Sequence, residues 1–313
     1  ANVGVALGGL EDALEAGYSS DISFTVSDDA SAIAGVLSEG DELNNADDVN
    51  VVGGTIDVAA ADAVQDITRY DAAASGYVIE DSAGSVLGDT GTILDGGVAH
   101  VDVNSIASAN VGVALGGLED ALEAGYRSDI SFTVSDDASA IANVLSEGDE
   151  LNNAEDVNVV GSTIDVADAA SVQDITAYDA VDSDYDITDN AATLLSTTGV
   201  DAVVDSGVDQ VFVTDSSVDA DTGAALNDLE LSLQDVGGTD IEFTVTDTAG
   251  AVASELSATG DELDEANDVN VVGGTIDVAA ADAVQDITAY DEIDSNYDIT
   301  DNAATLLSTT GVD

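Results

Sequence analysis

The sequence predicts an α/β fold built as a repetitive parallel βα solenoid with about 27 residues per coil. Three observations predict it: long segments recur almost unchanged, short β-like runs return at a regular spacing, and Ala-rich helical stretches separate those runs. The segment VNVVGGTIDVAAADAVQDIT begins at Val49, returns with small changes at Val157 and returns again at Val269. Because a catalytic domain needs its site only once, a segment written three times favours a structural role.

The large repeat sets the expected organisation of the chain. ANVGVALGGLEDALEAGY begins at Ala1 and again at Ala109, and VNVVG at Val157 returns at Val269. We therefore assign repeat 1 to residues 1–108, repeat 2 to 109–220 and a shortened repeat 3 to 221–313, each with about four strand–helix coils when complete. LLSTTGVD is followed by further repeat sequence after Asp201 but ends the chain at residue 313, so we expect the natural polypeptide to continue.

Short runs rich in Val, Ile, Thr and Tyr predict the strands. They begin at Ile22, Val49, Tyr77, Val98, Ile130, Val157, Tyr185, Val208, Ile241, Val269 and Tyr297. Stretches such as DASAIAGVL lie between them and carry apolar residues three and four apart, the spacing of one helical face. Sequential strands separated by helices are expected to pair in parallel, and eleven of them would span roughly 50 Å. The alternative is that each large repeat packs as a separate globular α/β domain.

The composition limits the possible partners. The 313 residues include 66 acidic residues but only Arg69 and Arg127 as basic ones, which gives a formal charge of −64. Such a chain is unsuited to nucleic acid or to an anionic membrane surface, since both need a cationic footprint. Its self-repulsion predicts a fold that needs high salt, bound divalent cations or an elongated shape. The chain has no cysteine for disulfides or thiolate chemistry, and no apolar run long enough to cross a bilayer.

Aspartates recur where a strand gives way to a helix, and they are the first candidate ligands for calcium. One class lies two residues before an alanine; a second class, in TID, comprises Asp57, Asp165 and Asp277. Both classes also suit helix N-caps. Stacked carboxylates would repel one another unless a hard cation such as Ca²⁺ bridged them. The candidate Ca²⁺ ligands of the first class are Asp28, Asp81, Asp136, Asp189, Asp247 and Asp301.

Acidic GDEL loops supply the second set of candidate Ca²⁺ ligands, for which a solvated acidic loop is the alternative. They are Asp41 and Glu42, Asp149 and Glu150, and Asp261 and Glu262. Neither an EF-hand loop nor the glycine-rich nonapeptide of calcium-binding β-rolls is present. The glycines of VGGT, from Val52 to Thr55, predict a bulge or tight bend, because the P-loop lysine and spacing are lacking.

The sequence gives little support to catalysis, and we predict that the chain is not an enzyme. The only histidine, His100, lies in VAHVDV, and the matching run VDQVFV carries Gln210 at that position. A Ser–His–Asp arrangement would therefore exist in one repeat only, so His100 is interpreted as a variable strand residue. No cofactor other than calcium is expected.

Two alternating motifs resemble the repeats of very large bacterial extracellular and surface proteins. Y-x-I-x-D-x-A-x-x-L spans residues 77–87, 185–195 and 297–307, and V-x-V-x-x-x-T-I-x-V-x-x-A spans 49–61, 157–169 and 269–281. The resemblance implies an extracellular or cell-surface location and a fibrous, adhesive or sheath-forming role that is often calcium-dependent.

These features lead to a first hypothesis: a structural repeat protein of a filament or surface fibre, stabilised by Ca²⁺ or high salt and partnered mainly by itself. The acidity suggests a halophilic setting. Assembly would be end to end or within a giant chain. The alternatives are the stalk of a calcium-dependent adhesin with a glycan or cell-surface partner and, more remotely, a surface glycosidase.

Overall fold

The computed structural model describes residues 1–16, 22–37, 42–125, 129–145, 150–234, 240–259 and 263–308. The chain divides into two compact units. The first comprises Ala1–Asp136, Val144–Asn158 and Ile175–Ala177, and the second comprises Asp137–Asn143, Val159–Asp174 and Tyr178–Asp313.

The strands of the described residues coincide with the eleven runs that the sequence predicts. Two of those runs are interrupted, at Phe132 and at Phe243, so that each gives two short strands. The strands are β1 Thr25–Asp28, β2 Asp48–Ile56, β3 Gly76–Asp81, β4 Val98–Val103, β5 Ile130–Ser131, β6 Thr133–Asp136, β7 Asp156–Ile164, β8 Asp184–Asp189, β9 Val208–Val213, β10 Asp240–Glu242, β11 Thr244–Asp247, β12 Asp268–Ile276 and β13 Asn296–Ile299.

Helices separate the strands throughout the described ranges. They are α1 Asn2–Glu15, α2 Ala30–Leu37, α3 Val58–Gln65, α4 Ala83–Gly88, α5 Thr90–Ile93, α6 Ala109–Gly125, α7 Ala138–Leu145, α8 Val166–Gln173, α9 Ala191–Leu194, α10 Thr197–Val203, α11 Ala220–Gln234, α12 Ala249–Thr259, α13 Val278–Gln285 and α14 Ala303–Ser308. Short 3-10 helices cover Glu42–Asn45, Ala72–Ala74 and Glu150–Asn153. None of the helices in these ranges is both long and apolar enough to cross a membrane.

The strands form three parallel sheets in which hydrogen-bonded neighbours are also neighbours in the sequence. The sheet orders are β1-β2-β3-β4-β5, β10-β9-β8-β7-β6 and β11-β12-β13. Val26 pairs with Val49, Ile56 with Ile79 and Ile79 with Val101. A parallel pair cannot be joined by a tight turn, so helices and loops connect the paired strands. The predicted alternation of strands and helices with parallel pairing is thereby confirmed.

The glycines of VGGT form a bulge inside β2, as predicted. The pairing of β2 with β3 shifts between Val52 and Thr55, and Gly53 and Gly54 have φ values of 80° and 85°. Side chains rarely adopt these backbone angles. A Cβ at Gly54 would also lie 3.0 Å from the backbone nitrogen of Ala30. The bulge recurs in β7 and β12, where the pairing shifts at the equivalent positions.

The core is built from small aliphatic side chains contributed by one face of each strand and one face of each helix. In β2, Val49 and Val51 are buried whereas their neighbours Asp48 and Asn50 are partly exposed. This alternation is the one expected of a strand with only one face in the core. Three buried residues of α3, namely Val58, Ala61 and Val64, follow helical spacing. The core therefore tolerates few bulky residues next to the helices.

Glycine lets the long helix α6 lie close to the strand β6. A Cβ at Gly112 would lie 2.5 Å from Cγ2 of Val134 and 3.0 Å from Cδ2 of Leu151. The equivalent Gly4 and Gly223 make the same approach to Val26 and Val245. Three separate helices thus need a glycine at one position for the same packing reason.

Candidate functional site

The TID aspartates cap the helices that follow them. Asp57, after β2, accepts a hydrogen bond from the backbone nitrogen of Ala60 at 2.7 Å, and it precedes the first residue of α3. Asp165 and Asp277 make the same bond at the starts of α8 and α13. The side chain satisfies a backbone donor that the helix itself leaves free, and its charge suits the positive end of the helix dipole. The predicted N-cap role of this class is confirmed.

The strand-end aspartates cap a different helix from the one that follows them. Oδ1 of Asp81 accepts the N–H of Ser82 at 2.7 Å, while its Oδ2 accepts the N–H of Val58 at 3.2 Å. Val58 begins α3, the helix before β3 in the chain. Each such carboxylate therefore ties the end of its own strand to the start of an earlier helix.

The same bond to an earlier helix recurs along both units. Oδ2 of the strand-end aspartate accepts the N–H of the helix-starting residue for Asp136 with Ala109 at 3.0 Å, Asp189 with Val166 at 3.4 Å and Asp247 with Ala220 at 3.1 Å, and Oδ2 of Asp28 lies 2.6 Å from the nitrogen of Ala1. Asp301 accepts the N–H of Asn302 at 2.6 Å. Helix N–H groups are strong partners for a carboxylate, because the bond is charge-assisted.

The residues that cap the following helices come one position later and were missed by the sequence analysis. Ser82 accepts the N–H of Ser85 at the start of α4, and Asp137 accepts the N–H of Ala140 at the start of α7. Asp29, Asn190, Thr248 and Asn302 take the equivalent place in the other coils. The signal was present in the sequence, since a capping residue type directly precedes each helix-starting alanine. Ser105 and Asp215, which were also missed, accept the N–H of Ala83 and of Ala191.

The hydrogen bonds shift the pKa values of some of these carboxyl groups. Burial alone would raise the pKa of Asp81, but hydrogen bonds from Ser82, Ser85 and Val58 outweigh it and hold the pKa below its usual value. Hydrogen bonds from Ser139 and from the N–H of Ala140 lower the pKa of Asp137. Both groups therefore act as ionised acceptors at neutral pH, which is what the capping role requires.

Buried tyrosine and glutamine side chains form a second set of contacts between coils. Nε2 of Gln65 donates to Oη of Tyr77 at 2.7 Å and to the carbonyl of Thr92 at 3.0 Å. Gln173 makes the equivalent pair of bonds to Tyr185 and to Ala202. Each glutamine joins the end of one helix to the following strand and to a later helical segment, so the bonds fix the spacing between neighbouring elements.

A second tyrosine in each of these coils donates to an aspartate. Oη of Tyr178 lies 2.6 Å from Oδ1 of Asp205, which also accepts the N–H of Gly207 at 2.9 Å. A Cβ at Gly207 would lie 2.3 Å from that Oη, so glycine is required for the tyrosine to fit. Burial first, then the bond to Asp205, raises the pKa of Tyr178, so it stays a neutral donor.

His100 lies on β4 among acidic and hydroxyl groups. Its Nε2 is 2.8 Å from Oδ1 of Asp102 and 3.2 Å from Oγ of Ser131, and its Nδ1 is 3.5 Å from Oδ2 of Asp129. A catalytic Ser–His–Asp set holds the serine and the carboxylate on opposite ring nitrogens. Here Asp102 shares Nε2 with Ser131, so the imidazole is arranged as a partner for two carboxylates rather than as a base for Ser131. The prediction that the chain is not an enzyme stays a prediction.

Glu119, on α6, is the acidic residue with the most perturbed proton affinity in this neighbourhood. Burial raises its pKa to about 7, and the nearby carboxylates of Glu123, Asp129 and Asp120 add to the rise, while His100 opposes it. Its Oε2 is buried and has no hydrogen-bond partner. The side chain therefore sits close to half-ionised at neutral pH, although its sequence context gave no sign of it.

The candidate calcium ligands receive no direct test from this geometry. Among the described residues, no group of three or more His, Asp or Glu side chains is arranged to hold a metal ion. Asp41, Asp149, Asp261 and Glu262 lie outside the described residues, as do the side chains of Glu42 and Glu150. Calcium binding stays a prediction.

Comparisons with known proteins add no further constraint. The chain matches no protein-family model and no curated protein, so its function has to be argued from its own residues.

Proposed function

We propose that the chain is a structural repeat protein of an extracellular filament or surface fibre, built as a βα solenoid and stabilised by high salt, by Ca²⁺ or by both. The proposal concerns the chain as a scaffold: its repeated contacts hold neighbouring coils together, and its length is the property that matters.

One observation carries the proposal: the same bonds occur at equivalent positions of successive repeats. The backbone nitrogen of Val51 donates to Oγ of Ser75 at 3.0 Å, and Val159 and Val271 donate in the same way to Ser183 and to Ser295. An enzyme concentrates its unusual polar contacts at one place. Here the polar contacts are spread along the chain and join each strand to the next, as expected of a scaffold.

The order of the strands supports a solenoid. Within each sheet every strand bonds to its neighbours in the sequence, all in parallel, and the run from Ile130 to Asp136 contributes one short strand to the first sheet and another to the second. The run from Asp240 to Asp247 does the same for the second and third sheets. A stack of coils predicts both features, since each coil contacts only the next one.

The charge supports dependence on ions. A formal charge of −64 destabilises any compact state through self-repulsion, and added salt screens it. We expect the unfolding temperature to rise steeply with NaCl. Titration of CaCl₂ against MgCl₂ at constant ionic strength separates bound calcium from screening. A stability indifferent to NaCl, to CaCl₂ and to EDTA would contradict the ion dependence.

Localisation tests the function itself. Antibodies raised against the purified chain, coupled to gold, should label fibres or a sheath on intact cells or in secreted material under electron microscopy. Label confined to the cell interior would overturn the proposal. A glycan-cleaving activity of the purified chain that is lost in a single-carboxylate variant would overturn it as well.

A further inference from the structure

Two helices with the same sequence differ in how much of one face they bury. Residues 1–16 and 109–124 are identical, and they form most of α1 and α6. In α6, Leu115 and Leu122 are buried and Leu118 is 7% exposed. In α1 the equivalent Leu10 is 50% exposed, and Val3 is 74% exposed. The sequence is the same, so the difference comes from what lies against each helix.

Exposed and partly exposed positions of α1 form one continuous apolar face, which we call the α1 face: Val3, Leu7, Leu10 and Leu14. Their spacing of four, three and four residues places them on one side of a helix. The equivalent side of α6 lies in an interior where α6 contacts α4 and β5, elements of the coils next to it. The α1 face is therefore a surface whose natural cover, seen at α6, is a helix of the α4 type.

A helix of the α4 type with an uncovered surface is present at the other end of the described chain. Residues 297–313 repeat 185–201 without change, so α14 and β13 correspond to α9 and β8. Leu194 of α9 and Ile187 of β8 are buried, whereas the equivalent Leu306 is 45% exposed and Ile299 is partly exposed. Leu307, next to Leu306, is 87% exposed. We call Tyr297, Ile299, Leu306 and Leu307 the α14 face.

We propose that the α1 face of one molecule docks on the α14 face of a second copy of this chain, head to tail. The contact would repeat between molecules the helix contact that α4 and α6 make within one molecule. The inference rests on the proposed function and deepens it by naming the surfaces and the partner. Since the two faces differ, each bound copy leaves one free face of each kind, and the association continues into a filament rather than closing as a dimer.

The charge around these faces sets the conditions for docking. Asp12 lies beside Leu10 on α1, and Asp301 and Asp298 precede α14, so two acidic surfaces approach each other. Screening at high ionic strength shortens the range of that repulsion to about 3 Å at 1 M salt. Assembly should therefore appear at molar NaCl and reverse on dilution into low salt.

Cross-linking tests the orientation, because the chain has no native cysteine. Leu10→Cys and Leu307→Cys variants, carrying different tags, are mixed at molar NaCl and treated with a short bismaleimide. We expect the mixed cross-linked dimer to form at least fivefold more than either homodimer, and more than in a matched mixture of Val181→Cys with Leu307→Cys. Val181 is 85% exposed but lies on neither face. Equal yields in all mixtures, or a dominant Leu10→Cys homodimer, would overturn the proposal.

Sedimentation gives a second test that needs no cross-linker. The parent chain should form concentration-dependent oligomers at molar NaCl, and Leu10→Asp should weaken the association at least tenfold while Val181→Asp leaves it unchanged. A parent chain that stays monomeric at all concentrations would overturn the head-to-tail contact. It would leave the proposed function standing if gold label still marks surface fibres, so the two proposals fail separately.

Discussion

Substitution of Gly112 by alanine tests whether the close approach of α6 to β6 constrains the fold. The new Cβ would lie 2.5 Å from Cγ2 of Val134, a separation that real Cβ atoms do not show, and Val134 is held in a buried strand. Either the helix or the strand must shift. Gly117, on the same helix, serves as the matched control, because a Cβ added there would have no other atom within 4 Å.

The expected energies have opposite signs. Replacing glycine by alanine inside a helix stabilises it by about 1 kcal/mol. Overpacking a well-filled interior costs about 1–3 kcal/mol. Gly117→Ala should therefore raise the free energy of unfolding by up to about 1 kcal/mol, while Gly112→Ala should lower it by up to about 2 kcal/mol. The helix-propensity gain is common to both, so their difference measures the steric cost alone.

Urea unfolding at fixed molar NaCl is the assay, followed by circular dichroism, with the slope of each transition checked against the parent chain. Gly112→Ala should unfold at lower urea than the parent, and Gly117→Ala at higher urea. If the two variants were equally stable, the close packing of α6 on β6 would not constrain the chain and the reasoning would be refuted.

Three further predictions concern polar groups. Glu119 has a folded pKa raised from 4.5 to about 7, so the folded state binds more protons than the unfolded state between these values and loses stability as the pH rises through them; Glu119→Gln should remove this loss, about 1 kcal/mol after allowance for solvent and salt screening, whereas Glu123→Gln should not, as checked by urea titrations at pH 4.5 and pH 8. Asp81→Asn should cost about 1 kcal/mol through its bonds to Val58 and Ser82, because a charge-assisted cap becomes a neutral one; since the pKa of Asp81 is lowered by folding, the parent should approach the variant in stability as the pH falls below 3.8, and Glu80→Gln, on the exposed side of the strand, should match the parent at every pH. Tyr178→Phe should cost about 1–2 kcal/mol by removing the donor to Asp205, measured by thermal unfolding, and an unchanged unfolding temperature would mean that this hydrogen bond adds nothing.

Local patterns in the sequence were enough to predict the strands, the bulge and the TID caps. A strand such as VNVV depends on β-branched residues that fit a pleated sheet, and a pair of adjacent glycines marks a bulge wherever φ must be positive. Asp57 bonds to a nitrogen only three residues away, so its role depends on nothing distant. Features of this range are fixed by the segment that contains them.

The helix that each strand-end aspartate caps could not be predicted, because the bond depends on distant residues. Asp81 and Val58 are 23 residues apart, and Asp136 and Ala109 are 27 apart. The pattern around each aspartate favours the helix that follows, yet the side chain reaches an earlier one. The raised pKa of Glu119 has the same origin, since its burial and its neighbour Asp129 are set by tertiary packing.

The sequence separation of the bonds between coils has a consequence for folding kinetics. Val51 and Ser75, Val159 and Ser183, and Val271 and Ser295 are each 24 residues apart. Closing such a contact costs the same loop entropy at every position along the chain. The mean separation of contacting residues therefore stays fixed as repeats are added, and a polypeptide with many more of them would fold each coil as readily as this one does.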